Sequence, residues 1–106
     1  MKTCKEYFEK MPASYQKDLG AKLNCVYQFD LGGDGGGLFF VQIKAGELTV
    51  GEGAKPDPDV TLVASAKDYV DIAEGRLNEM LALATGRFKI KGNMLMAMKL
   101  NKIFKR

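Results

Sequence analysis

The chain has 106 residues, 46% hydrophobic and 27% charged, with a net charge of +3 and neither histidine nor tryptophan. This predicts a single domain over residues 1–106 with one core, and excludes a disordered chain or a two-domain protein. The missing histidine removes Ser-His and Cys-His nucleophile pairs, the commonest acid-base group near neutral pH, and the usual zinc sites.

Thr3 with Glu6 forms a capping-box pattern, and Cys4, Tyr7, Phe8 and Met11 recur at i, i+3, i+4 and i+7. That predicts a short amphipathic helix ended by Pro12. A second helix is predicted over 14–19, with Tyr15 and Leu19 on one side and Gly20 as its left-handed terminator. From Asn24 the period becomes two. Cys25, Tyr27, Phe29 and Leu31 alternate with Val26, Gln28 and Asp30, as in a strand with one buried face. The glycine-rich stretch 32–37 separates it from 38–44, where Phe39, Val41 and Ile43 alternate with Phe40, Gln42 and Lys44. A hairpin is the economical reading. Ala45-Gly46-Glu47 turns the chain into a third strand at Leu48-Thr49-Val50, and the Pro/Asp-rich 55–59 leads into a fourth, Val60-Thr61-Leu62-Val63-Ala64.

Ser65 and Asp68 repeat the capping pattern and open a helix with Tyr69, Ile72 and Ala73 on one side, closed near Gly75. Residues 78–85 are apolar on nearly every side, which predicts a short helix that is buried or lines something apolar. Arg87-Phe88-Lys89-Ile90-Lys91 alternates as a fifth strand guarded by lysines. Gly92 makes the corner, and Asn93 caps a final helix.

Most motifs resolve to ordinary structure. The glycine cluster lacks both the Gly-Lys-Ser/Thr ending of a phosphate loop and a helix behind it. Asp30, Asp34, Asp57 and Asp59 sit beside glycines and prolines as turn residues. No nucleophile elbow surrounds Ser14 or Ser65, and Cys4 and Cys25 read as buried free thiols. The chain is therefore predicted to be non-enzymatic and to need no cofactor.

Charge is distributed unevenly. Residues 86–106 carry +7 and no acid, whereas residues 1–85 carry −4. Such asymmetry suits an anionic membrane surface or a solvated edge; without interleaved aromatics, nucleic acid is not an expected partner. On the last helix Met96, Ala97, Leu100, Ile103 and Phe104 gather on one side, opposite Lys99, Lys102, Lys105 and Arg106. Leu95 and Met98 fall among those lysines, so the helix is expected to touch apolar material on more than one side. The longest unbroken apolar runs, 80–84 and 94–98, have five residues each, far short of the roughly 20 of a membrane span. With no apolar core of a secretory signal near residues 1–12, the expected location is the cytoplasm.

The run Gly86-Arg-Phe-Lys-Ile-Lys-Gly-Asn-Met-Leu-Met-Ala-Met-Lys-Leu100 resembles the signature of the sterol carrier protein type 2 domain, also called the non-specific lipid-transfer protein domain. Upstream segments are similar to that family's first four strands and middle helix in the same order, so the resemblance spans roughly residues 20–104. It implies an α+β fold: a five-stranded, largely antiparallel sheet with helices on one face, and a hydrophobic tunnel between them for fatty acids, acyl-CoA, phospholipids or sterols. The chain ends Phe-Lys-Arg where animal members carry a peroxisomal Ser-Lys-Leu tail, so their location and sterol preference do not carry over.

Periodicity nominates the lining of such a tunnel: Tyr27, Phe29, Phe39, Val41 and Ile43 on strands, Tyr69 and Ile72 on the middle helix, Met80 and Leu83, then Met94, Met96, Met98 and Leu100. Lys99, Lys102, Lys105 and Arg106 are the candidates for docking on an anionic membrane. A lipid or other long apolar molecule is thus the expected partner, bound without chemistry. Two rivals stand beside it: a protein-interaction or self-association module using the Met-rich face, and an accessory protein in a lipid or hydrophobic-cofactor pathway.

Overall fold

The structure, a computed structural model, describes residues 4–104. Five strands, β1 (Cys25–Gly32), β2 (Gly37–Lys44), β3 (Glu47–Glu52), β4 (Val60–Ser65) and β5 (Phe88–Gly92), form one sheet in the order β3-β2-β1-β4-β5. Three neighbouring pairs are antiparallel, and β1 with β4 is parallel. Around the sheet lie α1 (Cys4–Lys10), a 3-10 turn (Met11–Ser14), α2 (Lys17–Gly20), α3 (Ala66–Ala73), α4 (Glu79–Ala84) and α5 (Met94–Ile103). This is the expected five-stranded, largely antiparallel α+β architecture.

Period-two burial builds the core. Register sets Phe29 opposite Phe39 on one side and Leu62 on the other, so the alternate apolar positions of β1, β2 and β4 share one face. There they pack under Cys4 and Phe8 of α1, Tyr69 and Val70 of α3, and Ala97, Leu100 and Ile103 of α5. Parallel pairing requires the chain to leave β3 at an edge and cross to the far side of β1. Gln28, only 6% exposed on the opposite sheet face, anchors that crossing. Its amide donates to the Phe39 and Gly53 carbonyls at 2.9 and 3.0 Å and accepts from the Lys55 N–H at 2.7 Å.

Side chains cap the helices that follow. Ser65 accepts from the Asp68 N–H at 3.0 Å, Asn78 from Leu81 at 3.1 Å, and Asn93 from Met96 at 3.2 Å. The Thr3 cap lies outside the described residues. Both thiols are free and buried.

Two expectations are corrected. The second helix is a single turn, Lys17–Gly20, with Leu19 exposed. Gly20 is not left-handed; a side chain there would run into the Tyr15 ring, whose hydroxyl donates to the Gly46 carbonyl at 2.7 Å. Helix α4 is not buried all round. Ala82 is fully inside, but Met80 and Leu81 stand 73% and 57% exposed. Six residues meet the fold along a single strip, and the small side chain of Ala82 occupies it.

Candidate functional site

A cavity of about 290 Å³ opens between the helix layer and the sheet. Tyr7 and Lys10 of α1, Met11 and Ser14 of the 3-10 turn, Phe29 of β1, Tyr69 and Ala73 of α3, Leu100 of α5 and Phe104 line it. Amphipathic spacing makes this wall: Phe8 enters the core, while Tyr7 and Met11, on its flanks, stay half-buried. Phe8 stacks on Phe39 at 4.5 Å and on Tyr69 at 5.4 Å, and meets Phe29 edge-on at 4.8 Å. The result is a rigid aromatic side to the cavity.

The polar groups lie at its rim. The Ser14 hydroxyl donates to the Met11 carbonyl at 3.0 Å. Burial, then the neighbouring Glu74 carboxylate, pushes the Tyr7 phenol up to about 12, so it stays neutral and presents no charge near neutral pH. Arg76 binds Glu74 at 2.7 Å and Asp71 at 2.8 Å, tying the rim to the end of α3.

A second, smaller void of about 20 Å³, less open than the first, shares Phe29, Tyr69 and Leu100 with it. It continues toward Ile72, Glu79 of α4, Phe88 and Ile90 of β5, and Ala97 of α5. Those three shared side chains therefore stand between an open outer chamber and a narrower inner one.

The nominated residues separate into groups. Phe29, Tyr69 and Leu100 line both voids, and Ile72 lines the inner one. Phe39 lies on the other side of Phe8, in a groove of about 150 Å³ near β3. Tyr27, Val41 and Ile43 are solid core at 0 to 1% exposure and line none of these voids. Met96 is half-buried, and its carbonyl accepts the Tyr27 hydroxyl at 2.6 Å; Leu83 is half-buried too. Met80, Met94 and Met98 face solvent at 73, 53 and 65%. As lining residues those three are corrected: the inward arc of α5 is held by Ala97, Leu100 and Ile103, leaving Met94 and Met98 on the outward arc. Lys99 and Lys102 are exposed, while Lys105 and Arg106 lie outside the described residues. Sequence reasoning passed over Tyr7, Met11 and Ser14 as lining, although their i, i+4, i+7 spacing already placed them on one helical stripe.

Among the described residues no cluster of three metal-ligating side chains occurs, and no helix is long and apolar enough to cross a membrane. The architecture has counterparts among solved structures. Residues 5–105 match the model of the SCP-2 sterol transfer family. The chain belongs to that family. It is 36% identical over 99 residues to "Hydroxysteroid dehydrogenase-like protein 2" of Bos taurus, covering 92% of this chain but 24% of that protein. The chain thus spans about a quarter of such a relative. The sterol carrier protein domain 2 of Helicoverpa armigera superposes with a TM-score of 0.71 at 33% identity, covering 92% of this chain and 79% of that one. Palmitated SCP2L2 of Aedes aegypti shares the fold at a TM-score of 0.75 and 24% identity, with 99% and 96% covered.

Proposed function

We propose that this SCP-2 family member is a non-catalytic lipid carrier that takes up a fatty acid, fatty acyl-CoA, phospholipid or sterol-like molecule in its interior cavity. The observation that carries the reading is the 290 Å³ chamber walled by Phe29, Tyr69, Met11, Leu100 and Phe104. Its volume lies just below the roughly 300 to 1,000 Å³ of small-molecule sites, which suits one acyl chain. Transfer of a sixteen-carbon chain from water contributes on the order of 12 kcal/mol gross, at about 0.8 per methylene. Binding therefore needs no reaction and no covalent partner. The family match and the palmitate named for the Aedes aegypti neighbour point to the same ligand class. Two buried free thiols suit a reducing, cytoplasmic setting.

Titration with a fluorescent fatty acid tests the proposal. Saturable binding by the wild type is expected, and Ala73→Trp, which fills the chamber from the end of α3, should weaken it about tenfold. Failure of fatty acid, acyl-CoA, phospholipid and sterol probes alike to bind saturably would overturn it. The exposed Met80, Leu81, Met94, Leu95 and Met98 favour a second reading as an interaction module. Concentration-dependent self-association in sedimentation, without lipid binding, would select that one.

A further inference from the structure

The chamber and the groove near β3 lie on the two flanks of one helix. Tyr7 and Met11 border the chamber, Lys5 and Glu9 border the groove, and the two linings share no residue. Phe8 stands between them. Its ring is 3% exposed and runs nearly parallel to Tyr69, a chamber residue, at 9°, and to Phe39, a groove residue, at 3°. Phe29 of β1, which also borders the chamber, meets the same ring edge-on. A buried ring held by three others is a fixed partition.

That partition limits length. Taking a methylene as about the size of a water molecule, whose share of the liquid is roughly 30 Å³, the 290 Å³ chamber holds about ten and the 20 Å³ inner void less than one. Behind Phe8 the groove of about 150 Å³ has room for about five more. A sixteen-carbon chain with its head group in water thus matches the chamber and the groove taken together, and overfills the chamber alone.

We propose that Phe8 is the end wall that sets acyl-chain length, so that the preferred ligand carries a medium chain of about ten carbons. The proposal rests on the lipid-carrier reading and narrows its ligand class. Each methylene inside the chamber tightens binding about fourfold, whereas those that the wall keeps out stay in water and add nothing.

The test uses saturated fatty acids of eight to sixteen carbons, each displacing a fluorescent fatty acid below its micellar concentration. Wild-type affinity should climb about fourfold per methylene up to about ten carbons and then level off. Phe8→Ala should move that plateau out by about five carbons and bind the sixteen-carbon acid about a hundredfold more tightly than the wild type does. Phe8→Leu, which keeps a branched apolar side chain should the alanine variant not fold, should move it in the same direction by a smaller step. Val50→Trp fills the groove from β3; it should leave the wild-type profile unchanged and cancel the gain in the Phe8→Ala background. Circular dichroism confirms that each variant is folded. No saturable binding of any chain by the wild type overturns the carrier reading and this proposal together. Saturable wild-type binding that keeps tightening up to sixteen carbons, or a plateau that neither Phe8 variant moves, overturns this proposal and leaves the carrier reading standing.

Discussion

Gly92 holds the corner from which α5 starts, at φ +101°, and a side chain there would collide with the Asp59 carbonyl oxygen. The position needs glycine twice over, for conformation and for space. Gly92→Ala should lower the unfolding free energy by about 2 to 4 kcal/mol in urea titrations. Tyr27 carries a different load: it is fully buried and its hydroxyl donates to the Met96 carbonyl, binding β1 to α5. Burial, then the neighbouring Cys25, raises its pKa well above the ordinary 10.0. Above that ordinary value the unfolded chain releases the phenolic proton while the folded chain keeps it, so stability is full below pH 10.0 and falls as pH rises further. Tyr27→Phe should lower stability by about 1 kcal/mol near neutral pH and flatten the alkaline decline, both read from urea midpoints. The sequence placed Tyr27 on the buried face of its strand through period two. Its hydroxyl's partner, 69 residues away, was not legible there. Gln28 was hidden for the same reason, since alternation marks it only as a polar, outward position.

The capped starts of α3 and α5 were legible in local chemistry, because a cap involves groups three residues apart. Ser65 and Asn93 both cap as their sequence context required. Asn93→Ala should cost about 1 kcal/mol, measured by thermal or urea unfolding, since it leaves the Met96 N–H without its side-chain acceptor. Helix faces were read less well. A six-residue helix with five apolar side chains offers no pattern from which an inside can be chosen, and α4 puts only Ala82 fully inward. On α5 the inward arc of Ala97, Leu100 and Ile103 was legible from the hydrophobic stripe. Met98 already fell among the lysines by angle, yet it and Met94 were nominated as lining because residue type was given more weight than angular position.

At the scale of the whole molecule the difficulty is to keep a hollow in a small protein. The inner void of 20 Å³, even if dry, costs about 0.5 kcal/mol at 24 cal/mol per Å³, which the fold tolerates easily. The larger chamber is open to solvent, so water can enter and the penalty of a dry void does not apply in full. A carried ligand would replace that water with packed apolar contacts. Fatty acid at a hundred times its dissociation constant should therefore stabilise the chain by about 2.7 kcal/mol, a rise of about 10 °C or more in Tm by differential scanning fluorimetry. Ala73→Trp should show a smaller rise, since its indole occupies part of the chamber.

The sequence alone determined the strand faces, the capped helix starts, the Gly92 corner and the concentration of positive charge after residue 85. The first three follow from spacings of two to four residues, over which backbone geometry is nearly constant, and the charge is a plain count over residues 86–106. Only tertiary structure decided which apolar side chains border a hollow, which form solid core and which face outward. Tyr27 and Phe29 share a strand face and are almost equally buried, yet only Phe29 lines the cavity, because Tyr7, Tyr69 and Leu100 from distant helices leave space beside it. A cavity is a gap between segments, and its position depends on how closely they approach rather than on the pattern within any one of them.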